Sequence, residues 1–223
     1  MFEKLYVKLA ESVTETFYKS VAKEIEEKIE KEENIFCMLD IGTGPGDLVF
    51  EVKKRVPRLL VYGIDISEKI IKIAKQRAEK EKYYSYSSYP DIFFEAMDAY
   101  RLNYPNNSFD FIVSSGVLHA LDNPSKAIKE WIRVLRTDCE LWIYDPTPLI
   151  TAEDLADKKL LKKKLPNLKN RISFFLAKKF HRDIPPRVMP IEDVAHMLVK
   201  AVGDSLFKVE KKENYLKIEI KKA

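Results

Sequence analysis

One stretch limits what this chain can fold into: Asp40-Ile41-Gly42-Thr43-Gly44-Pro45-Gly46-Asp47. The apolar run Ile35 to Leu39 leads into it and reads as a buried strand. Leu48, Val49, Val52 and Val56 follow at helical spacing. The glycines therefore stand at a strand-to-helix turn. Glycine reaches backbone angles closed to other residues, and without a Cβ it lets a ligand come close to the main chain. The helix starting after Gly46 directs its free N–H groups at that space. The bland alternative is a tight turn with no ligand, because short glycine motifs also arise by chance.

The rest of the chain alternates in the same way. Leu59 to Ile64 reads as a second strand ending at Asp65, and Ser67 caps a helix over Glu68 to Lys80. Ile92 to Ala96 reads as a third strand, followed by Met97-Asp98-Ala99. After the turn Asn106-Asn107-Ser108, Phe109 to Val113 reads as a fourth strand running into Ser114-Ser115-Gly116. Ala127, Ile128, Trp131, Ile132 and Leu135 form the apolar face of the next helix, and a fifth strand ends at Tyr144-Asp145. A helix over Ile191 to Val202 precedes Phe207–Glu210 and Tyr215–Ile220, two alternating segments that predict a hairpin. This order predicts an α/β fold: a doubly wound, mostly parallel seven-stranded sheet with a C-terminal antiparallel hairpin. Ligands of such sheets bind outside the carboxyl ends of the strands. Asp40 with its loop, Asp65, Asp98 and Ser115 all fall at such ends.

The length of 223 residues fits a single domain over 1–223, with residues 1–33 as an N-terminal helical cap packed on the sheet. At 46% hydrophobic and 33% charged the chain is globular, and its net charge of +4 is too small to argue for nucleic acid. Cys37 and Cys139 lie in apolar strand-like runs and read as buried free thiols of a cytoplasmic protein. There is no metal-ligand spacing, no signal-peptide pattern around Glu3 and Glu11, and no apolar run long enough to span a bilayer. Residues 147–190 are basic and amphipathic. They read as a helical face packed on the domain, as a lid, or, through 158–182, as a peripheral contact with an anionic membrane or an acidic substrate.

Glycine spacing separates two cofactors. Dinucleotide sites prefer G-x-G-x-x-G, whereas this loop runs G-x-G-x-G. The carboxylates Asp40 and Asp47 on either side would repel a pyrophosphate and suit a ligand carrying an ammonium and a sulfonium. Asp65 lies 19 residues past Gly46, close to the offset of roughly 20 expected for an acidic ribose ligand.

The loop resembles motif I of the class I S-adenosylmethionine-dependent methyltransferases. That resemblance implies a Rossmann-like methyltransferase fold and S-adenosylmethionine as cofactor. It places Asp40, Gly42, Thr43, Gly44 and Gly46 at the cofactor. It puts Asp65 on the ribose, Ile66 on the adenine, Asp98 with the Ala99 backbone at the adenine amino group, and Ser115 in the segment below the methyl group. Leu118-His119 followed by Asp122-x-Pro124 is similar to the small-molecule, quinone-biosynthesis-like (type 11) branch. Two departures stand out: Ala120 replaces the second histidine common in that branch, and Thr137-Asp138-Cys139 replaces its Pro-Gly-Gly turn.

The expected partner is a small-molecule acceptor. A general base is required only if that acceptor arrives protonated, with His119, Tyr144 and His181 as candidates. Three other readings stay open: an NAD(P)-dependent oxidoreductase, an RNA methyltransferase gripping phosphates with the basic segment, and a cofactor-binding protein without turnover. The absence of an N-P-P-Y-like motif at Ser114-Ser115-Gly116 argues against a base-amine acceptor.

Overall fold

Seven strands form one sheet in the order β3-β2-β1-β4-β5-β7-β6. They are β1 (Cys37–Ile41), β2 (Leu60–Asp65), β3 (Ile92–Ala96), β4 (Phe109–Ser115), β5 (Leu135–Pro146), β6 (Leu206–Lys211) and β7 (Tyr215–Lys221). The helices are α1 (Phe2–Lys31), α2 (Asp47–Arg55), α3 (Glu68–Lys80), α4 (Pro124–Val134) and α5 (Ile191–Val202). These come from a computed structural model that describes residues 2–32, 34–80, 91–146, 191–212 and 215–223. The basic segment 147–190, with His181, lies outside the described residues, as does the tyrosine-rich stretch 81–90.

Strands β1 to β5 pair in parallel, and β7 runs antiparallel between β5 and β6. Helices cover both faces, which is why the central strands read as almost unbroken apolar runs. On one face Met38, Phe111, Val113, Trp142 and Tyr144 pack under α1, α2 and α3. On the other, Leu39, Ile41, Ile112, Leu141 and Ile143 pack under α4 and α5. The strand period of two thus sends neighbours on β5 to opposite sides.

Turn chemistry sets the helix starts. Gly46 takes φ 89° to open α2 without a side-chain cap. The Ser67 hydroxyl accepts from the Ile70 N–H at 3.4 Å to start α3. Asn123 Oδ1 accepts from the Lys126 N–H at 3.1 Å, with Pro124 just inside α4. The expected turn at Thr137-Asp138-Cys139 is absorbed into β5 as an irregularity: Asp138 takes φ 62°, and pairing to β4 shifts between Phe109 and Phe111.

Helix α1 is tied to the sheet by charge as well as by apolar packing. Lys217 on β7 is buried and donates to Glu24 at 2.8 Å and to Glu219 at 2.7 Å. Its ammonium stands 3.7 Å from the centre of the Trp142 ring. Cys37 and Cys139 are free but only half-buried. Burial, with the nearby Asp110, pushes the Cys37 thiol up to about 11.

Candidate cofactor site

The loop after β1 is held by backbone bonds to its neighbour strand. The N–H groups of Gly42 and Thr43 both donate to the Ile64 carbonyl at 2.8 Å. Gly42, Gly44 and Gly46 take φ of 75°, 56° and 89°, a region that strains any residue with a Cβ. Each glycine has its own second reason. A Cβ on Gly42 would sit 2.0 Å from Val117 Cγ2, and one on Gly46 would sit 2.9 Å from the rings of Phe50 and Phe94. A Cβ on Gly44 would meet nothing within 4 Å, so this glycine faces open space.

Asp65, at the end of β2, organises that space. One carboxylate oxygen accepts from the Gly44 N–H at 3.1 Å and the other from the Ser67 N–H at 2.9 Å. A carboxylate offers about four acceptor positions, so two remain for a ligand. Beside it lies a cavity of about 410 Å³, within the range of about 300 to 1,000 Å³ typical of small-molecule sites. Gly42, Asp65, Ile66, Asp98 and Ala99 line it, as the sequence suggests. Ile66 is 77% exposed, an apolar plate presented without partner surface. Asp98 is also exposed; its Oδ1 accepts from the Tyr100 N–H at 2.9 Å. The Ala99 carbonyl is already engaged by Trp131 Nε1 at 2.9 Å.

Sequence reasoning missed several wall residues, Met97, Tyr100 and Leu121, whereas Gly116 and Val117 belong to the segment Ser114 to His119 expected below the methyl group. Tyr100 is set by its hydroxyl, which accepts from the Asn123 N–H at 2.8 Å. No spacing rule joins these two positions. Gly116 was available as a signal, since it follows a strand and takes φ 70°.

Other predicted residues support the site from behind instead of lining it. Asp40 is 2% exposed under the loop; burial, with Asp65 and Asp47 adding like charge, pushes its carboxyl up to about 7. Thr43 is buried against Gly63, and Gly46 against Phe50 and Phe94. Ser115 pairs with Tyr144 in the sheet and is not among the cavity walls. Asp47 is not a free anion facing a ligand: Arg77 on α3 binds it at 2.8 Å and also donates to the Pro45 carbonyl. A smaller cavity of about 170 Å³ adjoins that pair, with Tyr18, Phe50 and Lys54 in its walls.

At the ends of β4 and β5 the two candidate bases part company. Tyr144 points to the α1 face and is 1% exposed. Its hydroxyl donates to Glu24 at 3.1 Å, and Phe17 and Tyr215 pack on its ring. Burial and the Glu24 carboxylate hold its phenol well above the usual tyrosine range. It is thus not placed to act as a base in the cavity, a correction that follows from strand alternation. His119 lies on a short 3-10 turn, Leu118–Ala120, whose neighbours Val117 and Ala120 do line the cavity. Its Nδ1 is 3.0 Å from Asp145 Oδ1. Among the described residues no cluster of three or more His, Cys, Asp or Glu side chains could hold a metal.

Residues 39–143 match the model of a methyltransferase domain family, type 11. That span, 105 of the 223 residues, is what this chain has in common with the methyltransferase domain family. Over 111 residues it is 32% identical to the demethylmenaquinone methyltransferase of Deinococcus radiodurans, covering 50% of this chain and 43% of that protein. It is 29% identical over 172 residues to the demethylmenaquinone methyltransferase of Thermus thermophilus, covering 76% of this chain and 74% of that one. The match thus spans less than half the length of the Deinococcus protein. The plantazolicin methyltransferase BpumL, solved with SAH, shares the fold at TM-score 0.68 and 14% identity over 99% of this chain and 90% of that one. The fold places the glycine loop, Asp65 and Asp98 along one cavity edge, with His119 and Asp145 farther along the same end of the sheet.

Proposed function

We propose that this chain binds S-adenosylmethionine in the 410 Å³ cavity and transfers its methyl group to a small-molecule acceptor. The observation that carries this reading is Asp65. Its carboxylate holds the glycine loop and Ser67 by backbone donors, yet keeps two acceptor positions, which suit the two hydroxyls of a ribose. The donor set also fits the rest of the cofactor. Ile66, Met97, Ala99 and Leu121 supply apolar walls for a purine, and Asp98 an exposed acceptor for an amino group. The open face of Gly44 allows close approach to the main chain. When bound, the cofactor supplies a methyl group already activated by the sulfonium. The residues of the chain then have to align the acceptor and keep water away.

Similarity to two demethylmenaquinone methyltransferases favours an acceptor with a quinone-like or phenolic ring. The half-buried free thiols fit a cytoplasmic setting, and no described helix is long and apolar enough to cross a membrane. We read residues 1–223 as one methyltransferase domain.

Isothermal titration with S-adenosylmethionine, S-adenosylhomocysteine and NADH tests the cofactor. Binding of the first two at micromolar levels, with none of NADH, is the expected result. NADH binding alone would replace this reading with a dehydrogenase. An acceptor screen with labelled methyl, including naphthohydroquinones, then tests turnover.

A further inference from the structure

The end of β5 carries a buried carboxylate, Asp145, that is not among the cavity walls. Asp145 follows Tyr144, and strand alternation turns it to the opposite face, where it is buried. Its Oδ1 takes two contacts from one residue: the His119 backbone N–H at 3.3 Å and His119 Nδ1 at 3.0 Å. The backbone bond fixes where residue 119 sits, and the side-chain bond fixes how its ring is turned. A carboxylate accepts only, so Nδ1 must carry a hydrogen to make this contact. In neutral imidazole that leaves Nε2 as the lone-pair nitrogen. Nε2 has no hydrogen-bond partner among the described residues, and the His119 side chain keeps 17% of its surface open against 9% for Asp145. The open nitrogen belongs to a residue flanked by the cavity walls Val117 and Ala120.

We propose that Asp145 is the positioning residue that holds His119 with its proton on Nδ1, so that Nε2 is the base that deprotonates the methyl acceptor. This rests on the methyltransferase reading above. It narrows the acceptor to a group that arrives protonated and weakly acidic, such as a phenolic hydroxyl or the ring carbon such a hydroxyl activates. Nε2 takes the acceptor's proton as the freed electron pair forms a bond to the methyl carbon, and the methyl–sulfur pair returns to sulfur. The imidazolium, balanced by Asp145, then gives the proton to solvent.

The test reads the tautomer directly. In protein labelled with 15N-histidine, two-bond proton–nitrogen spectra distinguish Nδ1–H from Nε2–H, and the signal missing in His119→Gln identifies residue 119. The wild type is expected to show Nδ1–H. In Asp145→Ala no acceptor holds Nδ1–H in place, so a mixture of the two tautomers is expected. An Nε2–H wild type, or an unchanged Nδ1–H tautomer in Asp145→Ala, overturns the proposal. With 1,4-naphthohydroquinone as acceptor probe, both variants are expected to lose about 10² to 10⁴ in kcat, while S-adenosylmethionine affinity stays within about threefold. Full turnover in His119→Gln overturns the base assignment. If the wild type does not methylate the probe, the tautomer alone decides. A wild type that binds no S-adenosylmethionine breaks the underlying reading instead, whatever the tautomer.

Discussion

The two ends of the sheet are built by different kinds of contact. Around β1, β2 and β3 the bonds that shape the cavity are short in sequence and mostly reach the backbone: Asp65 to Gly44 spans 21 residues and Asp65 to Ser67 spans 2. Around β5 and β7 the bonds that tie α1 to the sheet are side chain to side chain and long in sequence. Tyr144 to Glu24 spans 120 residues, and Lys217 to Glu24 spans 193. A ligand pocket made of loop backbone follows from a local motif. An end of the sheet held by distant side chains can change without disturbing that motif. One fold can therefore keep its cofactor while changing its substrate.

If that division is right, substitutions at the two ends should fail differently. The largest effect is expected for Asp65→Ala. Two hydrogen bonds to a charged acceptor are lost, each worth about 1.5 to 3 kcal/mol, so S-adenosylmethionine should bind at least about 100-fold more weakly by calorimetry. Unchanged affinity would remove the ribose assignment. Next is Lys217→Met, which leaves Glu24 and Glu219 without their shared cation beneath α1. Chemical denaturation should show a loss of about 3 kcal/mol, with cofactor affinity of the folded protein unchanged. A large loss of affinity instead would show that the two ends are coupled.

Per pH unit, the smallest effect concerns Asp40. Its carboxyl, raised to about 7 by burial, binds a proton in the folded state that the unfolded chain releases near 4. Below pH 4 both states are protonated and Asp40 costs nothing. Between about pH 4 and 7 the folded state holds more protons, so stability falls as pH rises, by at most about 1.4 kcal/mol per pH unit. Asp40→Asn should flatten that slope in a series of melting curves. A slope that persists would assign it to another group.

The glycine loop shows how far local reading reaches. Its spacing, positive φ values and place between strand and helix were all legible, because a tight strand-to-helix turn has few sequence solutions. The division of labour within it was not. Gly44 faces open space while Gly46 is filled behind by Phe50 and Phe94, and Phe94 comes from a strand almost fifty residues later. Asp47 looked like a free anion until Arg77 of α3 was seen to bind it. On β5, Tyr144 and Asp145 were equal candidates at a strand end. Only the register of that strand told which faced α1 and which faced His119.

By itself the sequence determined the order of elements, the seven-stranded sheet with its hairpin, and the strand ends at which Asp65 and Asp98 stand. These depend on periodicity and on turn residues, which act over a few positions. The tertiary structure decided which carboxylates remain available, which tyrosine is sealed in the core, and which carboxylate meets His119 beside the cavity. Those outcomes depend on side chains brought together from more than twenty residues apart, and no local rule encodes that distance.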